Sequence, residues 1–188
     1  MEYDKAPSST QLPPPKPISG TTTDLSGRGH SRVKGDGNVE TKLLSQSITF
    51  PFSGRTAPNR FLKAPMTERL CHWSNEDITH RGVPSPELIN LYRRWGEGGI
   101  GIIVQGNTMI QYDAVEALGN PILCDDHDGR VEKYKELAKV AKAHGSLFIA
   151  QLSHPGRQGG KALNPKPVSA SEVQLMKKWA GNEFAKPR

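Results

Sequence analysis

Between Asn59 and Gln151 short apolar runs alternate with longer amphipathic segments, and that alternation leaves few folds open to the chain. The first run, Asn59 to Met66 (NRFLKAPM), carries Phe61 and Leu62 toward Ala64 and then Pro65, which cannot donate to a strand ladder. A strand is expected to stop near Ala64. Ser85-Pro86-Glu87 reads as a helix start: a capping hydroxyl, proline at the first helical position and an acid in the first turn. Leu88, Leu91, Tyr92 and Trp95 then recur at helical spacing, the buried stripe of a helix expected to stop at Gly96. Ile100 to Gln105 (IGIIVQ) has the β-branched content of a strand buried on both faces, and it leads into Gly106-Asn107-Thr108. A second helix is expected from about Gly129 to His144, with Val131, Tyr134, Leu137, Ala138 and Ala141 on its apolar face and Gly145 as a left-handed cap. Leu147 to Gln151 is the third strand.

That order is the signature of a parallel α/β sheet. Ile48, Phe50 and Phe52 alternate with polar or turn residues ahead of it, and Ser53-Gly54 marks the turn of a short hairpin. Two parallel folds compete, a doubly wound sheet and a barrel. The letters GxGxxG occur from Gly96 to Gly101, but they follow a helix and precede a strand. A phosphate cradle needs the opposite order, with helix N-terminal amides facing the phosphate. These glycines are a helix-to-strand turn, and the barrel reading gains.

On that reading the strand ends present Ala64-Pro65-Met66-Thr67, Gln105-Gly106-Asn107 and Gln151 through Arg157 on one face, where parallel barrels place their chemistry. The set suits a flat heteroaromatic ligand: small Ala64 and Gly106 allow close approach, Met66 packs, and Thr67 and Gln151 offer directional hydrogen bonds. No metal cage and no nucleophile-base pair stands at convincing spacing. Asp125, Asp126 and Asp128 are read as the acidic start of a helix, His154 as a loop-structuring histidine and Cys71 as a bystander thiol.

Three segments, NRFLKAPMTERL, RRWGEGGIGIIVQGN and AKAHGSLFIAQLSHPGRQ, together resemble the N-terminal half of the Old Yellow Enzyme family of FMN-dependent NAD(P)H:flavin oxidoreductases, in a form similar to fungal members. The resemblance runs from about Leu44 to Arg188. It implies a TIM (β/α)8 barrel that holds FMN non-covalently, reduces it with NADH or NADPH, and passes hydride from flavin N5 to a small-molecule alkene activated by a carbonyl or nitro group. It also implies that Ala64, Pro65 and Met66 lie against the flavin, and that Thr67 bonds near flavin O4 and tunes its potential. Gly106 would sit beside the ring and Gln151 at its pyrimidine edge. Arg157 matches the HxGR segment of one branch, either as a substrate-rim contact or as rim packing. The family's substrate-orienting His-His or His-Asn pair, proton-donating tyrosine and late-strand phosphate site match nothing before Arg188.

About the first three βα units are expected here, over residues 43–188, preceded by a disordered extension over residues 1–42. That front segment holds Pro13 to Pro15, Thr21 to Thr23 and few large apolar side chains, too little to offset the entropy of ordering. A barrel needs about 250 residues and this chain has 188. The expected reading is therefore a truncated ene-reductase-type enzyme. The alternative is a non-catalytic fragment that acts through protein association, as a homo-oligomer or with a complementary half-barrel, across an exposed sheet edge.

Bulk properties narrow the partners. A net charge of +6 and a pI of about 9.4 invite a nucleic-acid reading, but the basic residues are scattered, and residues 1–42 carry six of them against five acids. No stretch approaches the roughly 20 apolar residues of a membrane span. Cys71 and Cys124 have no metal spacing, and reduced thiols in a cytoplasmic protein are expected.

Overall fold

In a computed structural model of the chain, the described residues are 40–176 and 183–188. The expected disordered extension falls almost wholly outside them. Its last described residue, Lys42, already opens a one-turn helix, α1 (Lys42–Ser45). The hairpin follows as β1 (Ile48–Thr49) antiparallel to β2 (Thr56–Ala57), and Gly54 at φ 66 makes the turn. Phe52 stands fully exposed at the tip.

The sheet that organises the rest has the order β3-β4-β5, all parallel: β3 (Leu62–Lys63), β4 (Ile102–Met109) and β5 (Leu147–Ser153). Helices α2 (Pro86–Glu97) and α3 (Arg130–Lys142) make the two crossovers and pack together over one face. Ser85 caps α2 as its sequence predicts, its hydroxyl accepting from the Leu88 amide at 3.2 Å. The acids before α3 serve its start in the same way: Asp126 accepts from the Val131 amide and Asp128 from the Arg130 amide. Leu88, Ile89, Tyr92, Ile103, Leu137 and Ala141 form the shared core, with Trp95 and Phe148 against it.

Three expectations are corrected by the packing. Gly96 does not stop α2 but lies inside it, because a Cβ there would meet the Ala141 carbonyl at 2.7 Å; the glycine lets α2 and α3 touch. The helix ends one residue later, and Gly98-Gly99 turn the chain into β4, as expected of a helix-to-strand turn. Strand β4 runs through Gly106-Asn107-Thr108 instead of ending at Gln105, at the cost of a bulge in its pairing with β5. At β3 the apolar residues are the exposed ones, Phe61 just before the strand at 53% and Leu62 at 54%, while Lys63 is buried. Side chains alternate between faces, and Lys63 falls in register with Ile103 and Phe148 on the helix-covered side. Leu62 and Ile149 face the other way, and Ile149 is 49% exposed.

Candidate functional site at the strand ends

Strand β4 supplies the centre of the site through its bulge. Pairing with β5 slips between Gln105 and Thr108, and Asn107 takes a left-handed φ of 50, a conformation that asparagine tolerates better than most residues. Two amides leave the ladder there and must find other acceptors. The Gly106 amide donates to the Tyr92 hydroxyl at 3.0 Å, and the Asn107 amide donates to Oε1 of Gln151 at 3.1 Å.

Beneath the bulge lies a buried polar cluster. Lys63 Nζ donates to Glu68 Oε1 at 2.8 Å, to the Val104 carbonyl at 3.1 Å and to the Tyr92 hydroxyl at 3.3 Å, and it stands 4.2 Å over the Trp95 ring. The Lys63 and Glu68 side chains are only 6% and 3% exposed. Tyr92 in turn donates to Glu68 Oε1 at 2.7 Å. Burial, and then the bond to Glu68, push the Tyr92 hydroxyl far above its ordinary pKa, so it stays protonated. This cluster ties β3, α2 and β4 together and clamps both ends of the Ala64 to Thr67 segment, through Lys63 before it and Glu68 after it.

Beyond the bulge, the end of β4 and the loops around it make a second small core of Met109, Val115 and Ile122, with Trp73, Tyr112 and Leu163 against it. Val115 anchors its neighbour Glu116 over the strand ends. Glu116 Oε2 accepts from Asn107 Nδ2 at 3.0 Å and from the Thr67 hydroxyl at 3.3 Å, and Asn107 Nδ2 also donates to Thr67 Oγ1 at 2.9 Å. Thr67, Asn107, Glu116 and Gln151 are thus one connected group drawn from three strand ends and a loop.

The sequence-expected residues fall as follows. Ala64 and Met66 are exposed at the end of β3, Pro65 and Thr67 half-buried beside them, and Gln151 exposed on β5. Gly106 is buried, and a Cβ on it would lie 1.5 Å from the Met66 carbonyl oxygen, so the glycine is required by the approach of two backbones. Arg157 sits in the 3-10 turn Gly156–Gln158, exposed and outside this group. His154 does structure its loop, its Nδ1 lying 3.1 Å from the Gly156 amide. Cys71 is buried in the helix-side core, and burial raises its thiol pKa well above the ordinary value, as befits a packing residue. Sequence reasoning missed Lys63, Glu68 and Glu116 altogether, and it named Asn107 only as part of the rim.

A parallel sheet with helices on one face and polar residues gathered at its strand ends is the arrangement in which α/β proteins place ligand sites. In sequence the chain is similar, over part of their length, to proteins named NADH-dependent flavin oxidoreductases, and in fold it is similar to Old Yellow Enzymes. It is 48% identical over 153 residues to the NADH-dependent flavin oxidoreductase nadA of Aspergillus parasiticus, a match that covers 80% of this chain and 34% of that protein. With the NADH-dependent flavin oxidoreductase iliE of Hypocrea jecorina the identity is 33% over 108 residues, covering 56% of this chain and 25% of the other. The chain therefore spans about a quarter to a third of the length of these relatives. In three dimensions it is similar to the Old Yellow Enzyme of Trypanosoma cruzi, with a TM-score of 0.64 at 20% identity, covering 79% of this chain and 42% of that one. No family model matches the sequence. Among the described residues no helix is long and apolar enough to cross a membrane.

Proposed function

We propose that this chain forms the flavin-facing part of an FMN-dependent NAD(P)H oxidoreductase of the ene-reductase type, with β3, β4 and β5 as early strands of a (β/α)8 barrel. The observation that supports it most is the gathering of Ala64 to Thr67, Gly106 and Gln151 at one end of a parallel sheet, in a chain whose relatives are named flavin oxidoreductases.

The chemistry of the donor set fits the ring of FMN. A flavin asks for an apolar surface against its plane and hydrogen-bond partners at its polar edge. Ala64, Pro65 and Met66 supply the first. Gln151 supplies the second: its Oε1 is taken by the Asn107 amide, and its exposed Nε2 has no partner among the described residues. Thr67 offers a hydroxyl proton to the carbonyl side of the ring, and Gly106 keeps the strands close enough for both. Arg157 belongs to the substrate rim, as a contact or as packing. FMN, when bound, supplies hydride transfer between a nicotinamide and an activated alkene. The residues of this chain orient it, tune it through Thr67 and shield one face. NADH is the expected reductant, since the relatives carry that name. Two free cysteines suit a reducing cytoplasm.

Fluorescence titration of the 188-residue chain with FMN tests the reading. Quenched, red-shifted flavin is expected, and an unchanged spectrum at high chain concentration counts against it. A second reading, association through the open sheet, is supported by the exposure of Leu62, Ile149 and Leu152. Sedimentation velocity separates the two, because a monomer at every concentration contradicts association.

A further inference from the structure

Asn107 has no assigned contact with the flavin, yet its side-chain amide is spent at the strand ends, on Thr67 Oγ1 at 2.9 Å and on Glu116 Oε2 at 3.0 Å. A hydroxyl has one proton and two lone pairs. With a lone pair of Thr67 engaged by Asn107, the proton is turned away from that contact. Its acceptor among the described residues is Glu116 Oε2 at 3.3 Å. Such a bond is long, since O–H···O bonds usually end near about 3.0 Å. The same carboxylate oxygen already receives the shorter bond from Asn107, so the Thr67 proton is loosely held.

We propose that Asn107 is a positioning residue that makes Thr67 a hydrogen-bond donor to the flavin, with Glu116 holding the hydroxyl proton until the ligand takes it. The inference rests on the flavin reading above. Asn107 engages one lone pair of the hydroxyl and so orients its proton away from itself, and a ligand carbonyl, itself an acceptor, takes that proton. The backbone favours a clean test, because φ 50 admits glycine and aspartate with little strain.

Asn107→Gly removes the side-chain donor and keeps the backbone amide that reaches Gln151. Asn107→Asp keeps size and backbone but presents a carboxylate that accepts the Thr67 proton. FMN affinity of the 188-residue chain, read by flavin fluorescence, is expected to fall about tenfold for Asn107→Asp and less for Asn107→Gly, the worth of roughly one hydrogen bond. In a Thr67→Val background the difference between the two should vanish. A purely structural role predicts that any difference between the two variants, including the repulsion between Glu116 and the carboxylate that Asn107→Asp introduces, persists in the Thr67→Val background. Glu116→Ala removes the competing acceptor and should tighten FMN binding by about threefold, which keeps the proposal open to refutation if either Asn107 variant fails to fold. Equal affinities for Asp and Gly, a difference that survives Thr67→Val, or weaker binding by Glu116→Ala overturns the inference while leaving FMN binding by the parent chain intact. Absence of binding by the parent overturns the flavin reading and this inference with it.

Discussion

The backbone amide of Asn107 donates to Oε1 of Gln151 across 3.1 Å, joining two strand ends at the point where their ladder slips. The bond also fixes which half of the Gln151 amide faces outward. Gln151→Glu keeps an acceptor for Asn107 and removes the outward donor. It should weaken FMN binding by about tenfold or more, the worth of a hydrogen bond plus the new charge, and move the thermal midpoint little. A large drop in midpoint with unchanged affinity would show that Gln151 serves the fold alone.

Gly106 should tolerate no side chain. Gly106→Ala places a methyl against the Met66 carbonyl, 1.5 Å away in the native geometry, and two backbones must part to admit it. A loss of at least about 3 kcal/mol is expected, above the usual range for overpacking because the clash is with backbone. Urea denaturation should show a lower midpoint with little change in slope.

Lys63 and Glu68 are held as a pair. Lys63→Met leaves Glu68 buried with its partner cation gone and with Oε2 already lacking a bond. Removing one partner of a buried pair costs about 3–5 kcal/mol. The double variant Lys63→Met, Glu68→Gln should recover a good part of that, since no uncompensated charge remains, and chemical denaturation of the three proteins checks it.

Much of this arrangement was legible in the sequence because its signals are local. Ser85-Pro86, the apolar spacing of α2 and α3, and the β-branched run of β4 each declare their element without help from distant residues. The Ala64 to Thr67, Gly106 and Gln151 positions followed from the ends of those elements and from resemblance. What escaped depends on contacts far apart in the chain. Lys63 reads as a surface residue until Glu68, Tyr92 and Trp95 surround it. Gly96 reads as a terminator until the carbonyl of Ala141 approaches it, 45 positions later. Glu116 lies in a loop with no periodicity, and only the second core shows why it stands over Thr67. Bulges leave no pattern of their own, so β4 was expected to end at Gln105 when it in fact slips and continues.

Acid should loosen the loop before α3. Arg130 is fully buried; its guanidinium bonds Asp128, the Ile122 carbonyl and the Thr79 carbonyl. The bond from Arg130 holds the Asp128 carboxyl below its ordinary 3.8. A carboxylate with a depressed folded-state pKa stabilises fully above its unfolded value and loses that contribution as pH falls through the folded one. Stability should therefore be flat above about pH 5 and decline below about pH 4. Asp128→Asn should be less stable at neutral pH and show a shallower acid limb in pH-dependent thermal unfolding.

Whether these strand ends hold a flavin is tested most directly by chemical-shift mapping with two-dimensional 15N NMR. On adding FMN to the 15N-labelled chain, the largest shifts should fall on Ala64, Met66, Thr67, Gly106, Asn107 and the side-chain amide of Gln151. Shifts centred elsewhere on the molecule, or none at all at saturating FMN, would contradict a flavin site at the strand ends.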